Sequence, residues 1–125
     1  MMMLRQFFPL WPPSVNHTWR NGGGRTYLHP KAATFRKNLM AEVKKLRAAK
    51  LLPRTGTEKP VRIILAFYPP TAQKRDLDNL LKATLDAFTF ADVWADDSQV
   101  IWIGAEMCAP VGRENAGFFA EVKEI

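Results

Sequence analysis

A short segment of helical periodicity, enclosed by two apolar segments with strand character, limits the folds open to this chain more than any other feature. Val61–Tyr68 alternates along its length and is rich in β-branched and aromatic residues, and Val100–Met107 is a second apolar run. Between them, apolar residues recur at helical spacing over about residues 78–88. The apolar stripe of that helix must pack on a sheet.

The other segments extend this pattern to strand, helix, strand, helix, strand, strand. We expect a first strand over 4–10, an amphipathic basic helix over 30–51, and a last strand over 117–125 that forms a hairpin with the strand over 100–107. This order predicts an α/β (α+β) fold in a single domain over 1–125, with a mixed sheet of about four to five strands packed by two helices. Four aromatic side chains are also expected in the core: Phe88, Phe90, Trp94 and Trp102.

The composition excludes several classes of protein. No apolar run approaches the roughly 20 residues that cross a bilayer, and the first residues lack a secretion signal, so we expect a cytoplasmic protein with no membrane partner. The one cysteine, Cys108, and the spacing of His17 and His29 fit neither a disulfide framework nor a zinc site. Any bound metal should therefore have oxygen ligands, and no small-molecule cofactor is expected.

Charge is divided sharply along the chain. Residues 1–75 hold 15 Lys and Arg against two acids, a balance of +13, whereas residues 76–125 hold three bases against ten acids, a balance of −7. An enzyme acting on a phosphate backbone needs this arrangement, because bases hold the polymer and carboxylates hold a cation. The alternative is a basic surface that only keeps the protein in solution.

The segment after the first strand mixes glycines with basic and aromatic residues. Its three consecutive glycines, 22–24, indicate a long loop or loose hairpin. Such a loop suits contact with phosphates and unstacked bases, although it also serves as a plain connection. The candidate DNA-binding residues here are Asn16, Trp19, Arg20 and Arg25.

Acidic residues surround the second predicted helix. Asp76 and Asp78 stand where the loop enters that helix, and short carboxylates at this spacing can converge on one point. If the strand starting near Val100 lies beside the strand ending near Tyr68, the loop carrying Asp97 approaches the same point. Three carboxylates and water would form a site of the kind that Mg²⁺ or Mn²⁺ prefers.

Basic residues accompany the acids. Lys82 lies four residues after Asp78, hence on the same helix face, where a lysine can offset charge on a metal-bound phosphate. Lys74 and Arg75 directly precede Asp76 and either reduce repulsion between the carboxylates or contact DNA.

The acids also have a simpler interpretation. Asp76 would cap the helix and Asp78 would complement its dipole, with Lys82 as an ordinary partner one turn later. Asp96 and Asp97 would be turn residues. Spacing alone leaves both interpretations open.

At these residues the sequence resembles the RusA-type Holliday junction resolvases, small endonucleases of bacteria, phages and prophages. The resemblance implies a homodimer that binds four-way DNA junctions and makes paired nicks with Mg²⁺, in DNA recombination and repair. Three segments carry it, in order: WPPSVNHTWR with the GGGRTYL that follows, KRDLDNLLKATLDAF, and ADVWADDSQV.

The resemblance implies roles for particular residues. It assigns catalysis to Asp76, Asp78, Lys82 and Asp97, with Asp96 as a supporting acid. The three catalytic aspartates are also the predicted metal ligands. The sequence departs from many members at Met107, where they have lysine, and this puts a DNA contact there in doubt. The alternative function is a non-catalytic module that binds branched DNA and uses its acids as caps and turn residues.

Overall fold

A computed structural model of the chain describes residues 2–13, 19–22 and 25–125, and at 19–22 and 25–27 it describes the backbone alone. These ranges confirm the α+β fold, with a mixed four-stranded sheet packed by two helices. Within these ranges, no helix is both long enough and apolar enough to cross a membrane. The elements are β1 (Met2–Phe8), β2 (Trp19–Gly22), β3 (Arg25–Leu28), α1 (Pro30–Ala48), β4 (Val61–Tyr68), α2 (Leu77–Phe90), a 3₁₀ turn (Asp97–Gln99), β5 (Val100–Met107) and β6 (Gly117–Glu124).

The strand order of the main sheet is β1-β6-β4-β5, so the predicted hairpin between the last two strands is wrong. β6 pairs antiparallel with β1 and β4, whereas β5 pairs parallel with β4. The connection over 108–116 is long enough to pass the end of β4, where the N–H of Cys108 donates to Phe67 O and that of Val111 to Pro69 O. β6 takes the central position because it buries an alternating set of side chains on the helix side: Phe118, Ala120 and Val122.

The core lies between one face of the sheet and the two helices. The predicted apolar stripe of α1 is buried throughout, as are the alternate residues of β4 that face it. Phe88 and Trp94 are buried as expected, but Phe90 and Trp102 are 49% and 46% exposed, so their placement in the core is wrong. The local pattern of apolar residues shows neither that Phe90 ends α2 nor that Trp102 lies on an edge strand.

Arg47 joins the end of α1 to the end of α2. Its guanidinium donates to the carbonyl oxygens of Ala91 and Asp92 at 3.0 and 2.6 Å, and to Pro53 O at 2.8 Å. The Asp92 carboxylate in turn accepts from Gly56 N–H at 3.1 Å. One side chain therefore supplies donors to carbonyl groups that α2 leaves without helical partners.

We predict that Arg47→Met destabilises the fold by about 2 kcal/mol, because hydrogen bonds from a charged group are lost at three carbonyls. Urea denaturation followed by circular dichroism measures this change. Lys44→Met, at an exposed position on the same helix, should stay within about 0.5 kcal/mol of the parent. Equal stability of the two variants would contradict the role given to Arg47.

Candidate active site

Asp76 and Asp78 lie at the amino end of α2. Asp76 is the N-cap residue, and its carboxylate accepts from Asp78 N–H at 3.1 Å and from Asn79 Nδ2 at 3.5 Å. Both aspartates are exposed. The capping role is therefore real, and it leaves two carboxylates in solvent at the positive end of the helix dipole.

The loop before Asp76 is held by Arg75. The guanidinium donates to the carbonyl oxygens of Thr71 and Gln73, each at 2.9 Å, and to Thr71 Oγ1 at 2.9 Å. It also stacks 5.3 Å from the ring centroid of Trp11. Arg75 thus shapes the loop, and Lys74 is exposed. DNA contact by either residue remains a prediction.

The turn that carries Asp97 is held by its neighbours. Asp96 caps it, accepting from Ser98 N–H at 3.0 Å and from the Ser98 hydroxyl, and both bonds hold the pKa of the Asp96 carboxyl below its usual value. Gln99 completes the capping box and donates to Thr57 O at 2.8 Å. Asp96 therefore supports the turn, and Asp97, the first residue of the turn, is exposed.

The structure does not bring Asp97 to Asp76 and Asp78 within one chain. Parallel pairing sets Val100 beside Val61, so Asp97 lies at the end of the sheet where β4 begins. Asp76 and Asp78 follow the opposite end of β4. Among the residues that the structure describes, no group of three His, Cys, Asp or Glu side chains could hold a metal ion. The expected approach of Asp97 had as its condition that these two strands are neighbours, which they are, but their parallel direction keeps the acids apart.

A different acid, Asp86, lies near Asp97. Burial raises the pKa of the half-buried Asp86 carboxyl, the charges of Arg36 and Lys82 lower it, and Asp97 raises it. The 3₁₀ turn also contacts α2. The charges of Lys82 and Asp97 therefore both act on Asp86. Asp86 was not among the predicted site residues, although it lies four residues after Lys82 and eight after Asp78, on one helix face.

Three of the remaining predicted DNA contacts lie on a separate two-stranded ribbon. β2 and β3 pair antiparallel, with Arg20 opposite Tyr27, which confirms the loose hairpin. Trp19 and Arg20 belong to β2 and Arg25 to β3, while Asn16 lies outside the described residues. The DNA-binding roles of these residues remain predictions.

The two roles of Asp76 can be separated by substitution. Asp76→Ala should cost about 1 kcal/mol of stability because the cap is lost, whereas Asp76→Asn keeps a capping oxygen and should cost only a few tenths. Thermal or urea denaturation measures both variants against the parent. Equal losses in the two variants would contradict a stabilising role of the capping oxygen at position 76.

Most of the chain is similar in sequence to known endodeoxyribonucleases. The family model described as Endodeoxyribonuclease RusA matches residues 9–123. A protein of Enterobacteria phage 82 named crossover junction endodeoxyribonuclease rusA is 38% identical over 91 residues, which are 73% of this chain and 72% of the relative. Relatives with the same name from Escherichia coli K12 and Shigella sonnei Ss046 are each 37% identical over the same shares of both chains.

Proposed function

This chain belongs to the RusA family of endodeoxyribonucleases and is a nuclease, and we propose that it resolves four-way (Holliday) DNA junctions by paired, symmetric nicks during recombination and repair. The names of the relatives support the substrate, since they are crossover junction enzymes. Their enterobacterial and phage sources support action in the cytoplasm of a bacterium or of a phage-infected host. The observation that carries the proposal is the exposed pair Asp76 and Asp78 at the amino end of α2.

We propose Mg²⁺, for which Mn²⁺ can substitute, as the cofactor. The hard carboxylate oxygens of Asp76 and Asp78 fit such an ion, but two residues of one chain make an incomplete set of ligands. A bound ion would activate water and offset the charge of the scissile phosphate. Asp97 is the proposed third ligand, and the direction of β5 implies that it does not come from the same chain.

The protein's own side chains supply binding and charge. Lys82 lies one turn from Asp78 on the same face of α2, where it offsets negative charge that develops on the phosphoryl oxygens. Asp96 keeps the Asp97 turn in place through its bonds to Ser98. Contacts to the DNA backbone are proposed for exposed Lys74 and for the basic and aromatic residues of the β2–β3 ribbon.

A homodimer is part of the proposal, because it completes the site. α2 separates Asp78 from the neighbourhood of Asp97 and Asp86, and eight helical residues span about 12 Å. In a twofold dimer, Asp76 and Asp78 of one subunit can meet Asp97 of the partner subunit, and symmetry makes two such sites. Two sites match the two phosphates that must be cut to resolve a junction.

Cleavage of a synthetic four-way junction tests the proposal. The parent should nick two opposed strands in Mg²⁺ and should lose this activity in EDTA. Asp78→Asn and Lys82→Met should each lower the single-turnover rate by about 100-fold or more, because the first loses a proposed metal ligand and the second a positive charge beside the reacting phosphate. Glu114→Gln, at an exposed acid in the turn before β6, should leave the rate unchanged. A fully active Asp78→Asn variant would reject the site.

Mixing two inactive variants tests whether the site is shared between subunits. In a dimer of one Asp78→Asn chain and one Asp97→Asn chain, shared sites leave one complete site and one with both defects. The mixed sample should therefore nick one strand, while each variant alone is inactive. If each site came from a single chain, every site in the mixture would carry a defect, and no nicking would appear.

A further inference from the structure

Phe90 is an exposed aromatic residue at the end of α2, and the candidate site described above does not use it. The residue is 49% exposed. The Arg36 guanidinium of α1 lies 5.3 Å from the centroid of its ring. This cation–π contact holds the ring between the two helices and leaves about half of the residue open to solvent.

A groove beside Phe90 lies between the two helices and the end of β3. Its volume is about 460 Å³, within the range of small-molecule sites. Its lining includes four apolar residues: Leu28, Ala33, Met40 and Phe90. An aromatic ring along an apolar groove is a surface on which another flat ring stacks.

The charges at this groove favour a ligand that carries negative charge. Arg36 and Lys37 line it, and the lining residues that the structure describes include no acid. The whole of α1 carries six Lys and Arg against Glu42 alone, a balance of +5. An apolar protein segment would gain little from these cations. A nucleotide, by contrast, offers a flat base to the ring and a phosphate to the cations.

The position of Phe90 on α2 connects the groove to the candidate active site. Four residues at intervals of four form one row along the helix: Asp78, Lys82, Asp86 and Phe90. Burial raises the pKa of the Asp86 carboxyl, and the nearby charges of Arg36 and Lys82 lower it. The eight residues from Lys82 to Phe90 span about 12 Å. A DNA strand that lies along this row can therefore contact Lys82 and Phe90 together.

We propose that the groove binds one unpaired nucleotide of the DNA substrate, with its base stacked on Phe90. This inference deepens the proposed function and rests on it, because it assigns a subsite to the same substrate. The bases of a continuous duplex are stacked and paired, so the ring reaches only a base that has left the stack. A nucleotide that is already unpaired costs least to bind in this way. The subsite thereby holds the strand in position beside Lys82.

Binding of a single-stranded oligothymidylate without metal tests the stacking. Phe90→Leu keeps an apolar side chain but loses the ring, so fluorescence anisotropy should show about tenfold weaker binding. Phe90→Trp should bind at least as tightly as the parent, because a larger ring is retained. Affinity for a fully paired duplex should change by less than about twofold in both variants, because its bases stay in the stack.

Leu51→Ala is the matched control, since Leu51 is 64% exposed and does not line the groove. Its affinities for single strand and duplex should equal those of the parent. Equal affinities of the parent and Phe90→Leu for the single strand would leave the groove to a protein ligand and overturn the proposal.

Abasic substitution tests the same contact in a four-way junction. Nucleotides around the branch point are replaced one at a time by an abasic sugar, and binding is measured in EDTA. At the nucleotide that occupies the groove, loss of the base should weaken binding by the parent about tenfold. The same change should weaken binding by Phe90→Leu less than about twofold, because that variant has no stack to lose. Equal responses of parent and variant at every position overturn the proposal.

These measurements need no cleavage, so the two proposals fail separately. A protein that binds unpaired nucleotides through Phe90 but does not cut junctions rejects the proposed function and keeps the subsite. An active enzyme whose DNA binding is insensitive to Phe90 rejects the subsite and keeps the function.

Discussion

The parallel pairing of β4 with β5 is the constraint on which the rest of the structure depends. The connection between two parallel strands must return to the end of the sheet where the first strand begins. Here α2 makes that return, across the face of the sheet on which the helices pack. The amino end of α2 therefore lies at one end of the sheet and the Asp97 turn at the other. Two acidic groups from one short stretch of sequence are held apart by the helix between them.

Side-chain bonds to backbone groups hold both ends of this crossover in place. Arg47 fixes the end of α2 through carbonyl oxygens, while Gln99 ties the 3₁₀ turn to Thr57, just before β4. At the other end, Arg75 orders the loop that leads to Asp76. The carboxylates thus stand on supported backbone, which limits the entropy lost when they bind a ligand.

Periodicity predicted the helices and strands well, because each element follows a local hydrophobic pattern. β4 and β5 have the predicted bounds, and α1 buries the predicted stripe. The neighbours and direction of each strand were harder to predict, since nothing in the sequence of β6 indicates that it lies between β1 and β4. The exposure of Trp102 was missed for the same reason, because position at the edge of a sheet is a tertiary property.

The candidate site, too, was predictable where it depends on local spacing and not where it depends on the fold. The spacing of Asp76, Asp78 and Lys82 on one helix is local and could be read directly from the sequence. The separation of Asp97 from Asp78 depends on strand direction, which residue spacing does not encode. The spacing also sets Asp86 on the helix face of Asp78 and Lys82, but only the fold shows that it lies near Asp97.

The length of α2 has a consequence for the cell. If one chain cannot complete a site alone, a newly made subunit is inert towards chromosomal DNA until it finds a second copy. Activity then rises with the square of chain concentration while most of the protein is unpaired. A helix that keeps two carboxylates apart would in this way restrict the proposed activity to cells that make enough of the chain for two copies to meet.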